Sequence, residues 1–352
     1  MGDVANVAGV SPATVARVLY NKGFVAQDKR DRVEAAVIKT GYRTNVFARN
    51  LRTQRSFTIG LVIVDGSINP VFTRLSTALE IEALQRGYTL LTLNHAMNAR
   101  QEKNAVTRFI DHRVDAVICA YAVDPANLAM LAEAGIPVVQ VERELTRDTS
   151  SVLPDSATGF GAAVAHLAGL GHVDIAYVGG DPARYPRARV RHETMEEERL
   201  RCFNEAMARH DLTVRPELVR LGLYFSTDGS PASTEGRNQT AALLALPRPP
   251  TAMILSSDIL AAGALQAVYA AGMRVPDDIS LIGFDDSISD LLSPPMTSIG
   301  RPMSEFARVA FDLALAHVDD AQLPPRTEIL PMRLVERSSC GPVGNGPSWR
   351  QG

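Results

Sequence analysis

Residues 3–21 read Asp3-Val-Ala-Asn-Val-Ala-Gly-Val-Ser-Pro-Ala-Thr-Val-Ala-Arg-Val-Leu-Tyr-Asn21, and this stretch decides how the amino-terminal part of the chain folds. Val4, Ala5 and Ala8 recur at helical spacing, and Gly9 supplies a turn. Ser11 followed by Pro12 makes an N-cap with proline at the first helical position. Val15, Val18 and Leu19 then give the second helix a buried face. Two helices joined by a short glycine-bearing turn are what a helix-turn-helix requires, its second helix lying in the major groove with its first residues at base edges. A third helix is expected from Asp28 to Thr40, with Val33, Ala36 and Val37 facing inward and Gly41 as its stop. Residues 42–55 continue as a basic connector with a short helical pattern that carries Val46, Phe47 and Leu51.

Charge points the same way. Residues 1–55 hold ten Lys and Arg against four Asp and Glu, a net of +6. The whole chain is −3, so the remainder carries 26 basic against 35 acidic residues, a net of −9. One end suits a polyanion and the rest does not. A solvated charged face on an ordinary helical module is the plainer alternative, but charge, cap and turn coincide in one segment.

The rest of the chain is ordinary in composition, with 46% hydrophobic and 21% charged residues over 352 positions. No run approaches the roughly 20 apolar residues of a membrane span, and the amino terminus lacks the basic, apolar, small-residue order of a secretory signal. A cytoplasmic protein is expected. Cys119, Cys202 and Cys340 form no CxxC pair, which suggests neither a disulfide framework nor a zinc site.

From Phe57 the pattern alternates strand and helix. Strands are expected at 58–64, 89–93, 116–120 and 138–141, with helices at 72–86, 101–112 and 125–134 between them. The order restarts after a helix that ends before Gly171-His172, with strands at 175–178, 219–221, 252–255 and 279–284 and helices at 196–209, 235–246 and 258–271. Buried, Val/Ile-rich strands in βα order imply parallel sheets covered on both faces. The fold class is therefore α/β behind an all-α head: two similar lobes in series with a cleft between them, where ligands bind outside the carboxyl ends of the strands.

Enzyme chemistry finds little support. There is no Gly-x-Gly-x-x-Gly, Walker or HExxH motif, and Gly179-Gly-Asp is none of these. His166 and His172 lack a metal-ligand partner and read as structural. Neither a cofactor nor a metal is expected. A small-molecule-binding protein or an enzyme built on the same two lobes, without DNA regulation, is the competing reading.

An ordered set of short motifs runs through the chain. It comprises Asp3-Val-Ala, Ala8-Gly-Val-Ser, Ala13-Thr-Val, Arg17-Val-Leu, Gly41-Tyr, Ala48-Arg with Leu51, Ile59-Gly-Leu-Val and Asn69-Pro. It continues with Arg113-Val-Asp, Gly135-Ile-Pro-Val, Leu170-Gly-His, Arg199 with Phe203, Val275-Pro-Asp-Asp-Ile-Ser, Gly283-Phe-Asp-Asp and Pro294-Pro with Met296-Thr. Together they resemble the lactose-repressor family of bacterial transcription regulators over nearly the whole chain. The resemblance implies a helix-turn-helix head at 1–44, a hinge helix or linker at 45–56, and a core at 57–337 like that of periplasmic sugar-binding proteins. One lobe would comprise about 57–150 and 284–312, the other about 151–283 and 313–337. A Gly-, Pro- and Ser-rich tail at 338–352 is expected to be disordered.

The family's mode of action implies a homodimer on a pseudo-palindromic double-stranded operator, whose affinity answers to a small effector, a sugar or sugar derivative. Ser11, Pro12, Ala13, Thr14, Arg17, Tyr20 and Asn21 fall on its DNA-facing positions, as do Asn45, Ala48, Leu51 and Arg52 in the hinge. Arg17 suits bidentate contact with guanine, whereas Pro12 and Ala13 offer only apolar contact. Leu51 falls on the leucine that wedges into the minor groove, with core packing as its alternative. Effector positions fall on Asp65, Asn69 to Phe72, Asp155, Arg199, Ser257, Asp258, Asp285 and Arg301. Carboxylates accept and arginines donate paired hydrogen bonds to a polyhydroxylated ligand, and Phe72 offers a flat wall. Asp155 and Asp258 equally read as helix N-caps, and Asp65 as a turn residue.

The chain departs from the family pattern at Ala16, Ala26, Thr44 and Ser257, and Met1 coincides with an apolar position of the first helix. Residues 184–198 form a charged insert that reads either as a contact for an anionic effector or as a surface loop of cancelling charges.

Overall fold

A computed structural model describes residues 1–19, 23–42, 50, 53–64, 69–184, 193–223 and 232–343. It separates into two compact units, Met1–Ser56 and Phe57–Gly352.

The first unit holds α1 (Gly2–Ala8), α2 (Pro12–Leu19) and α3 (Gln27–Thr40). Val4, Ala5, Ala8, Val15, Val18, Val33 and Ala36 form its core, with Val37 and Leu19 partly buried against it. Gly9 ends α1 in the left-handed conformation at φ 64°, which lets α2 set off in a new direction where a side chain would be strained. Ser11 accepts the N–H of Thr14 on its hydroxyl at 3.2 Å, the expected cap. Ala26 precedes α3 without a side-chain cap. Tyr20, Asn21, Asn45, Ala48, Leu51 and Arg52 lie outside the described residues, as does most of the expected hinge.

The second unit contains two six-stranded sheets. The first has the order β11-β5-β4-β3-β1-β2 and is parallel throughout. Its strands are β1 (Thr58–Ile63), β2 (Thr89–Asn94), β3 (Ala116–Ala120), β4 (Val138–Val141), β5 (Ser150–Asp155) and β11 (Thr327–Pro331). Helices α4 (Val71–Gln85), α5 (Ala99–Asp111), α6 (Pro125–Glu133) and α11 (Met303–Asp319) cover it. Period-two alternation splits β3 between the two faces. Ala116, Ile118 and Ala120 pack with Phe306 and Phe311 of α11, and Val117 and Cys119 pack with Val106 and Phe109 of α5. Gly60 of β1 sits under α5, where an added Cβ would lie 2.9 Å from the Phe109 ring.

The second sheet has the order β12-β10-β9-β8-β6-β7, parallel except for the β10–β12 edge. It comprises β6 (Ile175–Gly180), β7 (Val219–Gly222), β8 (Ala252–Leu255), β9 (Ser280–Asp285), β10 (Thr297–Gly300) and β12 (Arg333–Val335). Helices α7 (Ser156–Gly169), α8 (Met195–Arg209), α9 (Ala232–Leu244) and α10 (Asp258–Ala270) flank it, with Phe160, Tyr177, Phe203 and Phe284 filling one side.

The lobe boundaries differ from expectation. Ser150–Asp155 stays in the first sheet, β9 and β10 stay in the second, and α11 with β11 returns to the first before β12 crosses back. The chain thus crosses between lobes after Asp155, after Gly300 and after Pro331. Strand β12 has only three residues, and β5 and β11 contain proline, so periodicity alone did not mark them; partners across the sheet define these strands and β10.

The tail also departs from expectation over its first six residues. Ser339 exchanges hydrogen bonds with β9, its oxygen accepting the Leu281 N–H at 2.9 Å and its hydroxyl donating to the Leu281 carbonyl at 2.6 Å. His172 Nε2 lies 3.0 Å from the Gly341 carbonyl, and Val343 N–H donates to Leu170. Residues 344–352 lie outside the described residues.

Candidate functional site

Helix α2 presents its first turn to solvent: Ser11, Pro12, Ala13 and Arg17 are exposed, while Val15 and Val18 face the head's core. The Ser11 and Thr14 hydroxyls lie 3.0 Å apart and share a hydrogen bond. Polar capacity at the start of the helix is thus partly consumed internally, and Arg17 projects at its far end.

In the second unit, the carboxyl ends of the parallel strands of both lobes gather charged and aromatic side chains. Asp285 closes β9, and Arg301 follows β10 at a crossover. Arg301 pairs with Asp285 through Nη1 and with Glu142, next after β4, at 2.9 Å through Nε. The three side chains are 1%, 1% and 4% exposed, so the arginine bridges carboxylates from both lobes away from water. Asn69, in the first lobe, donates its amide to the other Asp285 oxygen at 3.0 Å and accepts the N–H of Val71 with its own oxygen, fixing the entry to α4. Burial pushes the Glu142 carboxyl above the usual range, and the adjacent Arg301 opposes the rise.

Arg199, on α8, donates from Nη1 to the Ser256 carbonyl at 3.0 Å and lies 4.2 Å above the centre of the Phe284 ring. Arg301 approaches the same ring at 5.4 Å. On the opposite wall, Phe72 meets Tyr121 edge to face at 6.2 Å, and Arg143 stands 5.2 Å over Tyr121. Two adjoining cavities of about 40 and 10 Å³ lie among these groups; both are lined by Tyr121, Glu142, Met195 and Arg199, the smaller also by Asn69, Phe72 and Arg301. Volumes of this size admit water, and a larger guest needs the walls to part.

Residues 1–45 match the family described as bacterial regulatory proteins, lacI family, and residues 164–340 match a periplasmic binding protein-like domain. The repressor CytR of Escherichia coli (strain K12) is 31% identical over 342 residues, covering 96% of this chain and 95% of its own. The chain belongs to the lacI family of bacterial regulatory proteins. The regulator GalR of the same organism is 33% identical over 341 residues, covering 96% and 94%. Among solved structures, the lac repressor dimer bound to operator and the anti-inducer ONPF superposes with a TM-score of 0.74 at 26% identity, covering 96% of this chain and 98% of that one. A CelR–cellobiose complex gives 0.68 at 25%, with the same coverage. The regulator therefore joins a DNA-binding head to a binding-protein-like core, and its relatives are repressors rather than enzymes. No helix among the described residues is long and apolar enough to cross a membrane.

Of the expected effector residues, Phe72, Arg199 and Arg301 line the cavities, and Asp285 is held by Arg301 and Asn69 next to them. Asp155 and Ser257 do not reach them in the same way, because helix ends claim them. One Asp155 oxygen accepts the N–H groups of Ala157 and Thr158 at the start of α7. Ser257 caps α10 by accepting the Leu260 N–H at 3.2 Å. Asp258, just inside that helix, instead accepts from Ser298 at 2.8 Å and from the Ile288 N–H at 3.2 Å, pinning the turn after Asp285. Burial, with the nearby Asp285 charge, raises its pKa. Asp65 lies outside the described residues, as do Arg187, Arg189 and Arg191 of the insert. Beyond them, Arg201 pairs with Glu193 at 2.9 Å and Thr194 forms a capping box with Glu197 at the start of α8.

Glu142 and Tyr121 escaped the sequence reading. Each directly follows a parallel strand, and each adopts positive φ, 73° and 62°, as does Asp285 at 92°. Strained backbone of this kind aims side chains into the cleft, and position after a buried strand was the signal that could have found them.

Proposed function

We propose that this regulator represses transcription as a homodimer on a pseudo-palindromic operator, and that a sugar or sugar derivative held in the interlobe cleft sets its affinity for DNA. The observation that carries the cleft reading is the buried Asn69–Asp285–Arg301–Glu142 chain, in which Asn69, Glu142 and Arg301 line the smaller cavity while Asp285 holds Asn69 and Arg301 in place. Such groups exchange hydrogen bonds with hydroxyls on adjacent carbons, while Phe72 and Tyr121 supply flat apolar surface. Arg199 and Asp285 are the principal ligand contacts. Closing the lobes on the ligand moves the first lobe and with it the connector to the head, a coupling typically worth about 1–3 kcal/mol. Action on chromosomal DNA locates the protein in the cytoplasm.

A related ribose operon repressor of Escherichia coli (strain K12), 29% identical, and the cellobiose complex of CelR support a carbohydrate effector. The test is to measure operator binding by the full chain while titrating pentoses, hexoses, disaccharides and nucleosides. One compound that shifts the binding curve and also raises the melting temperature bears the reading out. A compound turned over by the protein, or none acting among a broad panel, counts against it.

A further inference from the structure

A cavity of about 340 Å³ lies outside the cleft, at the amino ends of the first lobe's strands. Its apolar walls come from the end of α6 and the turn after it (Ala132, Ile136 and Pro137), from the start of β4 (Val138) and from the segment between α11 and β11 (Leu323 and Pro325). Val138 begins β4, whereas Glu142 of the cleft directly follows it, so the two places are a strand of four residues apart, about 13 Å. The volume is more than twice the roughly 150 Å³ that holds benzene in a protein interior. It also falls within the range of about 300–1,000 Å³ usual for small-molecule sites, while the cleft cavities measure about 40 and 10 Å³.

Four polar residues share the lining: Asp148, Thr149, Ser150 and His317. Two of them satisfy each other, because Ser150 Oγ lies 2.7 Å from His317 Nε2 and also accepts the Arg326 N–H at 3.0 Å. Burial and the Arg326 charge lower the His317 pKa, so at neutral pH Asp148 is the one charged group of the lining. Asp148 accepts the Thr146 hydroxyl on Oδ2 at 2.8 Å, and among the described residues nothing donates to its Oδ1. The Thr149 hydroxyl accepts from Gln140 Nε2 at 2.7 Å and keeps its own proton to give. An acceptor and a donor on consecutive residues, beside apolar walls, match a ring whose edge carries an N–H donor next to an acceptor, as a carboxamide does. A carboxylate in the same place would lack the donor and meet the Asp148 charge.

We propose that this cavity is a second small-molecule site, separate from the effector cleft, and that it takes an uncharged, benzene-sized ring compound with an amide edge, the N–H given to Asp148 and the carbonyl oxygen accepting from Thr149. The inference does not depend on what the cleft binds.

The test titrates the full chain with benzamide and with benzoate, which has the same shape, and follows ligand-observed NMR. Benzamide is expected to bind with a millimolar Kd, as suits so few atoms, and benzoate about tenfold or more weakly. Ala321→Trp places a large side chain at an exposed lining position and should abolish benzamide binding at an unchanged melting temperature, whereas Arg199→Ala, in the cleft, should leave it intact. Asp148→Asn keeps an oxygen for Thr146 and removes the charge, so the benzamide-to-benzoate ratio should fall toward one. Benzamide binding that survives Ala321→Trp, equal affinity for benzoate in the natural protein, or no benzamide binding at all would overturn the proposal. So would a change of molecular mass by light scattering in Ala321→Trp, which would make this face an interface between copies of the chain.

Discussion

Arg301 is the residue whose neighbourhood is most tightly determined. It lies where the chain crosses between lobes and holds two buried carboxylates of different lobes, Glu142 and Asp285. Arg301→Met removes the guanidinium that pairs with both and leaves two acids facing each other out of water. Removing one partner of a buried ion pair costs about 3–5 kcal/mol, so urea denaturation should show a loss of that size. A variant that also carries Glu142→Gln and Asp285→Asn should regain most of it, because no charge is then stranded. Glu142 sets a second expectation through its raised pKa, which burial causes. A carboxyl that binds its proton more tightly when folded adds stability below its unfolded pKa and loses it as pH rises through the folded value. The stability of the natural protein relative to Glu142→Gln should therefore fall as pH increases from about 4.5, followed by chemical denaturation at a series of pH values. A difference that grew with pH would contradict the assigned cause.

At the scale of elements, the carboxy-terminal segment is clasped by one histidine. His172 Nε2 lies 3.0 Å from both the Gly341 carbonyl and Ser280 Oγ, and Nδ1 lies 2.9 Å from Thr251 Oγ1. The carbonyl only accepts, so the neutral ring carries its proton on Nε2 and accepts from Thr251 on Nδ1. Burial lowers its pKa. A histidine held neutral in this way supports the fold above the usual imidazole pKa and gives up that support as pH falls below about 6.5. Denaturation should show an acid-side loss that His172→Gln lacks, and that variant should be less stable than the natural protein at pH 8. Packing between β1 and α5 is as specific. A methyl at Gly60 meets the Phe109 ring at 2.9 Å, so Gly60→Ala should cost about 1–3 kcal/mol, as overpacking does. Melting temperature is the readout, and Gly60→Ala with Phe109→Leu should recover part of the loss.

The whole molecule is electrically divided, with +6 on residues 1–55 and −9 on the remainder. Phosphate contacts release counterions, so operator affinity should fall by about 10³-fold or more between about 50 and 200 mM salt, measured by fluorescence anisotropy. Residues 57–352 alone should keep effector binding and lose DNA binding at all those concentrations. Much of this was legible without coordinates. The head followed from Val4, Ala5, Ala8, Gly9, Ser11 and Pro12 because caps, turns and 3.6-residue periodicity are local properties, and the parallel lobes followed from Val/Ile-rich strands because burial on both faces writes itself into composition. Arg199, Asp285 and Phe72 were visible through motifs. What the linear chain did not contain was partnership across space. Only the tertiary structure assigned β5 and β11 to one sheet and β10 and β12 to the other, tied Asp258 to Ser298 and Ile288 instead of a helix cap, and brought Glu142 against Arg301 from 159 positions away. Sheet membership and buried ion pairing depend on which distant segments meet, and a residue's own neighbours carry no record of that.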